Sequence, residues 1–106
     1  MNEIQRAEID RIVNGILSSV PASEIYLFGS FAKGTEREDS DYDFYVVIPD
    51  DSMRAREASW AIRSAISDQT RGIDMLVGTQ SKFNKYKDSI SFIESEVAKT
   101  GLKLYG

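Results

Sequence analysis

Leu27-Phe28-Gly29-Ser30-Phe31-Ala32-Lys33-Gly34, then Thr35-Glu36-Arg37-Glu38-Asp39-Ser40, then Asp41-Tyr42-Asp43-Phe44-Tyr45-Val46-Val47-Ile48, is the stretch whose reading decides the fold. An apolar run from Ile25 to Phe28 stops abruptly at a Gly-Ser pair. A short segment able to make a helical turn or so follows, closed by Gly34. A polar, charged loop then leads into a strand-like run with carboxylates at positions i and i+2. Side chains alternate faces along a strand, so Asp41 and Asp43 project from one side, about 6.5 Å apart along the chain. Two hard oxygen ligands therefore stand beside the start of a helix, where free backbone N–H groups attract anions. A divalent metal and a polyphosphate suit such a place.

The rest of the composition narrows the chemistry. The chain has 106 residues, which suits one compact domain over residues 1–106. It has no histidine and no cysteine. Imidazole bases, His-ligated zinc, thiolate metal sites and disulfides are therefore excluded. Whatever chemistry exists runs on carboxylates, hydroxyls, Lys/Arg and bound ions. The net charge of −4 argues against direct nucleic-acid binding, which needs basic patches to neutralise phosphates. No apolar run approaches membrane-spanning length and the N-terminus lacks the apolar core of a signal peptide, so no membrane partner and a cytoplasmic location are expected.

Outward from the central stretch, residues 3–19 read as a helix. Ile9, Ile12, Val13, Ile16 and Leu17 form one apolar stripe, and Pro21 closes it. Glu24 to Phe28 is a strand apolar enough to be buried on both faces. Ser30 reads as a helix N-cap at the strand-to-helix turn, and Lys33 as a solvated lysine. In the following strand Asp41, Asp43, Tyr45 and Val47 share a face. Asp is depleted in strands, and burying two without compensation would cost several kcal/mol. Next, Asp51 or Ser52 caps a helix running to about Gln69, with Ala58, Ala61, Ile62, Ala65 and Ile66 inward and Trp60 to the side. Arg71 to Gly78 is a third strand, which Asp74 interrupts. Either Asp74 faces water at a strand end, or the strand–helix–strand spacing returns it beside Asp43. Ser81 to Tyr86 reads as a short helix or an irregular link, near the basic cluster Lys82, Lys85 and Lys87. Asp88 or Ser89 caps a last helix that turns Ile90, Ile93, Val97 and Ala98 inward. Gly101 then stops that helix in the left-handed conformation, and Leu102 to Tyr105 adds an edge strand.

Gly29-Ser30, ten residues, then Asp41-x-Asp43 resembles the signature of the DNA polymerase beta-like nucleotidyltransferase superfamily. Within it the chain is most similar to the minimal nucleotidyltransferase (MNT) proteins, many of them antitoxins of a HEPN-domain toxin. The resemblance implies an α+β, two-layer, polymerase beta-like nucleotidyltransferase fold, with a small mixed sheet packed with helices. It implies that Gly29 and Ser30 hold the triphosphate of ATP, and that Asp41, Asp43 and Asp74 bind two Mg²⁺ ions. Asp74 would also act as general base, and Ser40, which precedes Asp41 as in many relatives, would orient that carboxylate. The implied reaction moves AMP from ATP to a tyrosine of a partner HEPN toxin. The alternatives are a catalytically silent antitoxin that acts by binding, or nucleotidyl transfer to a small molecule or tRNA.

Overall fold

The sheet is built on β2 (Tyr42–Ile48), because that strand is apolar on both sides. Tyr42, Phe44, Val46 and Ile48 point to one face and are fully buried. Asp43, Tyr45 and Val47 point to the other. The structure, a computed structural model, describes residues 1–69 and 71–106. The strand order is β3-β2-β1-β4. β1 (Glu24–Phe28) runs antiparallel to β2, and β4 (Leu102–Tyr105) antiparallel to β1. β3 (Ile73–Thr79) runs parallel to β2, as a strand returning through a crossover helix must. The result is the expected α+β arrangement, a small mixed sheet with helices on it.

Two helices cover the first face. α1 (Glu3–Ser19) starts at a capping box, in which the Asn2 side chain accepts from the Gln5 N–H and the Gln5 side chain accepts in return. Its Ile9, Ile12 and Ile16 pack with Ala58 and Ile62 of α3 (Ala55–Ala65) over Phe44, Val46 and Ile48. The stripe is narrower than its sequence pattern, since Leu17 and Ala65 stay exposed. The second face is covered only in part. There Tyr26, Phe28, Tyr45 and Val47 meet Phe83 of α4 (Gln80–Tyr86) and Val97 of α5 (Ile93–Thr100). The end of this face that carries Asp43 and Asp74 remains open, with Asp43 half-buried and Asp74 exposed.

Three local expectations are corrected. α3 is shorter than the apolar pattern: Ser52 Oγ donates to the Pro49 carbonyl and Asp50 Oδ1 accepts from the Ser81 N–H, so this segment makes a turn and Arg54 becomes the N-cap. At the other end a Gln69 N–H to Ile66 carbonyl bond closes another turn. α5 begins only at Ile93, because successive turns at 86–92 use up the residues before it. Its inward residues are Glu94, Ser95 and Val97, while Ile90 is 88% exposed. Tyr45 explains the rotation: its hydroxyl donates to Glu94 Oε2 at 2.7 Å in the interior and draws that carboxylate inward. Gly101 is extended (φ −74°, ψ 155°) and leads straight into β4. Among the described residues no helix is long and apolar enough to cross a membrane.

Because Ile12 sits where α1, α3 and the sheet meet, Ile12→Ala should lower stability by about 2–5 kcal/mol in urea denaturation. Ile4→Ala, on the solvent side of the same helix, should stay within about 0.5 kcal/mol of the parent.

Candidate active site

Three elements converge on the open end of the sheet. β1 brings Phe28 opposite Asp43, and the chain then turns at Gly29, whose φ of 71° lies in the region only glycine enters freely. A Cβ at Gly29 would collide with the Asp43 carboxylate. The bend thus lies directly against the first acid, and α2 (Ser30–Lys33) departs from it. Gly29, not Ser30, is the N-cap, and no side-chain cap bond is made. The cap expected of Ser30 is therefore corrected: at the first helical position its hydroxyl does not fold back onto the backbone. Gly34 closes the short helix with φ 72°.

Asp43 and Asp74 are register partners on the parallel pair β2–β3 and so project side by side from one face. Of the two readings of Asp74, it lies near the strand start, exposed and next to Asp43. Asp41 lies just before β2, its carboxylate against Gly72. The Asp43 carboxyl is pushed up to about 6, first by burial, then by its hydrogen bond with Asp74 and the negative charges of Asp74, Asp41 and Glu96. This is an acidic cluster short of cations. Glu96, the fourth carboxylate acting on Asp43, is paired with Lys33 at 2.7 Å. Asp43 and Asp74 share a hydrogen bond while Asp41 rests on Gly72, so no three acids among the described residues close on a common point. A donor set of carboxylates with unbalanced charge fits a hard divalent cation by its chemistry.

One expectation around the acids changes. Ser40 Oγ accepts from the Arg37 N–H at 2.8 Å, closing the loop on itself rather than bonding Asp41. Lys33 is exposed, as expected of a solvated lysine, and also pairs with Glu96. Glu96 was not legible as a neighbour of the acids, because α5 reaches them only through tertiary packing. Trp60 stands apart. It is 75% exposed on α3, the helix that packs on the opposite face from the acids. Lys82 and Lys85 face solvent on α4.

Residues 9–100 match the family described as "Nucleotidyltransferase domain". Among solved structures, one of a toxin–antitoxin with AMP-PNP is 22% identical with a TM-score of 0.60, over 92% of this chain and 72% of its own. A putative nucleotidyltransferase from Sulfolobus solfataricus is 20% identical with a TM-score of 0.61, over 97% and 86%. A mutant of the toxin–antitoxin MntA-HpeT is 19% identical with a TM-score of 0.58, over 92% and 71%. At these identities the likeness is one of fold. No curated protein matches the chain.

Gly29 and Gly34 have nearly the same φ, but only Gly29 has the Asp43 carboxylate in the way of a Cβ. Gly34→Ala should therefore cost about 1–2 kcal/mol, the strain of a left-handed residue alone. Gly29→Ala should cost more in the same urea titration, because the carboxylate must also move.

Proposed function

The chain belongs to the nucleotidyltransferase domain family, and from that premise we propose that residues 1–106 form one Mg²⁺-dependent nucleotidyltransferase domain of the MNT group. On this reading it moves AMP from ATP to a tyrosine of a partner HEPN-domain toxin and so acts as its antitoxin. The observation that carries the reading is the pairing of Asp43 with Asp74 across β2–β3, with Asp41 two residues upstream and the Gly29 bend against Asp43. The toxin–antitoxin structures of the same fold, one of them with AMP-PNP, support the choice of partner and nucleotide.

Asp41, Asp43 and Asp74 would hold Mg²⁺, which when bound would offset the triphosphate charge and make an acceptor hydroxyl easier to deprotonate. Gly29 lets the backbone come close to the phosphates, and the Ser30 hydroxyl, not used as a cap, is available to donate to them. The acceptor oxygen bonds to the α-phosphorus as the bond to the bridging oxygen breaks and pyrophosphate leaves. The exposed carboxylate of Asp74 takes the acceptor's proton. Asp43, half-buried, stays behind it as a fixed charge that orients the centre. Catalysis of this kind is positioning and electrostatics, so a lost carboxylate should remove turnover rather than alter specificity.

The test is intact-mass measurement after incubating the protein with MgATP and the product of its neighbouring gene. The wild type should add AMP to a toxin tyrosine, and Asp43→Asn or Asp74→Asn should slow that transfer by about a hundredfold or more. Equal neutralisation by wild type and variants without any mass change would instead establish silencing by binding. Nucleotide found on a small molecule or tRNA would establish a different acceptor. Independently, ATP with Mg²⁺ should raise the melting temperature by several degrees in the wild type, and a chelator should reverse the shift, since a ligand held only by the native form stabilises it. Asp43→Asn should show little of that rise.

A further inference from the structure

We propose that Arg71 is the positioning residue for Asp41, reaching across from the approach to β3 to fix the chain around that carboxylate. The role rests on the assignment of Asp41 to the metal–nucleotide centre. Arg71 Nη1 donates to the Glu38 carbonyl at 3.0 Å and to the Ser40 carbonyl at 2.9 Å. On the other side of Asp41, the Tyr42 N–H donates to the Gly72 carbonyl at 3.0 Å. Asp41 is thus bracketed by two consecutive residues of the neighbouring segment, with its carboxylate against the second of them.

The guanidinium also lies over two rings, Phe31 of α2 at 5.7 Å and Tyr42 of β2 at 5.3 Å. One planar cation therefore touches the short helix that leaves Gly29, the loop after it and the first residue of β2. A lysine carries the charge but neither the flat face nor the forked donors that this needs. Besides Arg71, the loop is tied to the rest of the chain by the Met1 ammonium, which donates to Glu36 Oε2 at 3.1 Å. Its internal bonds are the two between Arg37 and Ser40, and the Thr35 N–H to Ser30 carbonyl bond. Ordering polar backbone costs about 1–2 kcal/mol per residue, so the group that anchors Ser40 largely decides where Asp41 stands.

Two variants test this. Arg71→Met removes the fork together with its Nε, which is buried without a partner among the described residues, so the core should tolerate the change. Arg71→Lys keeps the charge and serves if the first variant folds poorly. In the metal-free protein, amide hydrogen exchange at residues 37–41 should speed up in both variants while α1 and the middle of β2 keep their protection. By calorimetry, Arg71→Met should bind Mn²⁺ with ATP about tenfold more weakly, the scale on which removing a ligand's supporting partner acts. Added to Asp41→Asn it should weaken binding no further, since both changes act through one carboxylate. Unaltered exchange at 37–41, affinity within about twofold of wild type, or full additivity with Asp41→Asn overturns the role. Wild-type protein that binds no Mn²⁺ with ATP sinks the nucleotidyl-transfer reading and this role with it, and the wild-type titration alone tells that outcome from the others.

Discussion

The side-by-side placement of Asp43 and Asp74 is the constraint on which the rest of this structure depends. Two carboxylates on adjacent parallel strands repel each other and resist burial, and the raised Asp43 carboxyl records both effects. Such a pair survives only if its strands are held together by something stronger. That something is the apolar remainder of β2, buried on both sides beyond Asp43 and paired with β3 through to Thr79. Burial of large side chains at about 1.5–3 kcal/mol each outweighs the repulsion of one unfavourable pair at the strand start. The acids occupy the end where the covering layer stops.

The two faces of the sheet consequently do different work. The face under α1 and α3 is apolar apart from the Tyr42 hydroxyl, which donates to Glu8 at 2.9 Å. The other is apolar at one end and carboxylate-lined at the other, and the change occurs within two residues of one strand, from Tyr45 to Asp43. The small elements at the open end, α2 and the loop after it, have almost no core of their own. They are held by contacts made from elsewhere: Lys33 by Glu96 of α5, Phe31 and the loop carbonyls by Arg71.

Much of this could be read along the chain because it is local. The strand alternation placed Asp43 with Tyr45 and Val47, and the strand–helix–strand spacing returned Asp74 to its neighbour. Glycines 29 and 34 marked the two ends of α2. What failed was local too, but decided by partners elsewhere. Ser30 has the composition of a cap, yet the steep bend at Gly29 moves the cap one residue back. Ile90 and Ile93 have helical spacing, yet the interior bond from Tyr45 to Glu94 rotates α5 away from them. Arg71 gave no signal, because its partners are backbone carbonyls 33 and 31 residues away and any sequence supplies carbonyls.

The Tyr45–Glu94 bond has a consequence that reaches beyond packing. Glu94 and Glu96 share the first turn of α5, so the link that moors one at the centre of the molecule also sets the azimuth of the other, which faces Asp43 and grips Lys33. The helix behaves as a short crankshaft between the aromatic interior and the acidic rim. Removing the phenolic oxygen from Tyr45 hardly alters volume, yet it leaves the buried Glu94 carboxylate without its donor. The loss is felt first in the interior and then, through the shared helical turn, at Glu96 on the rim.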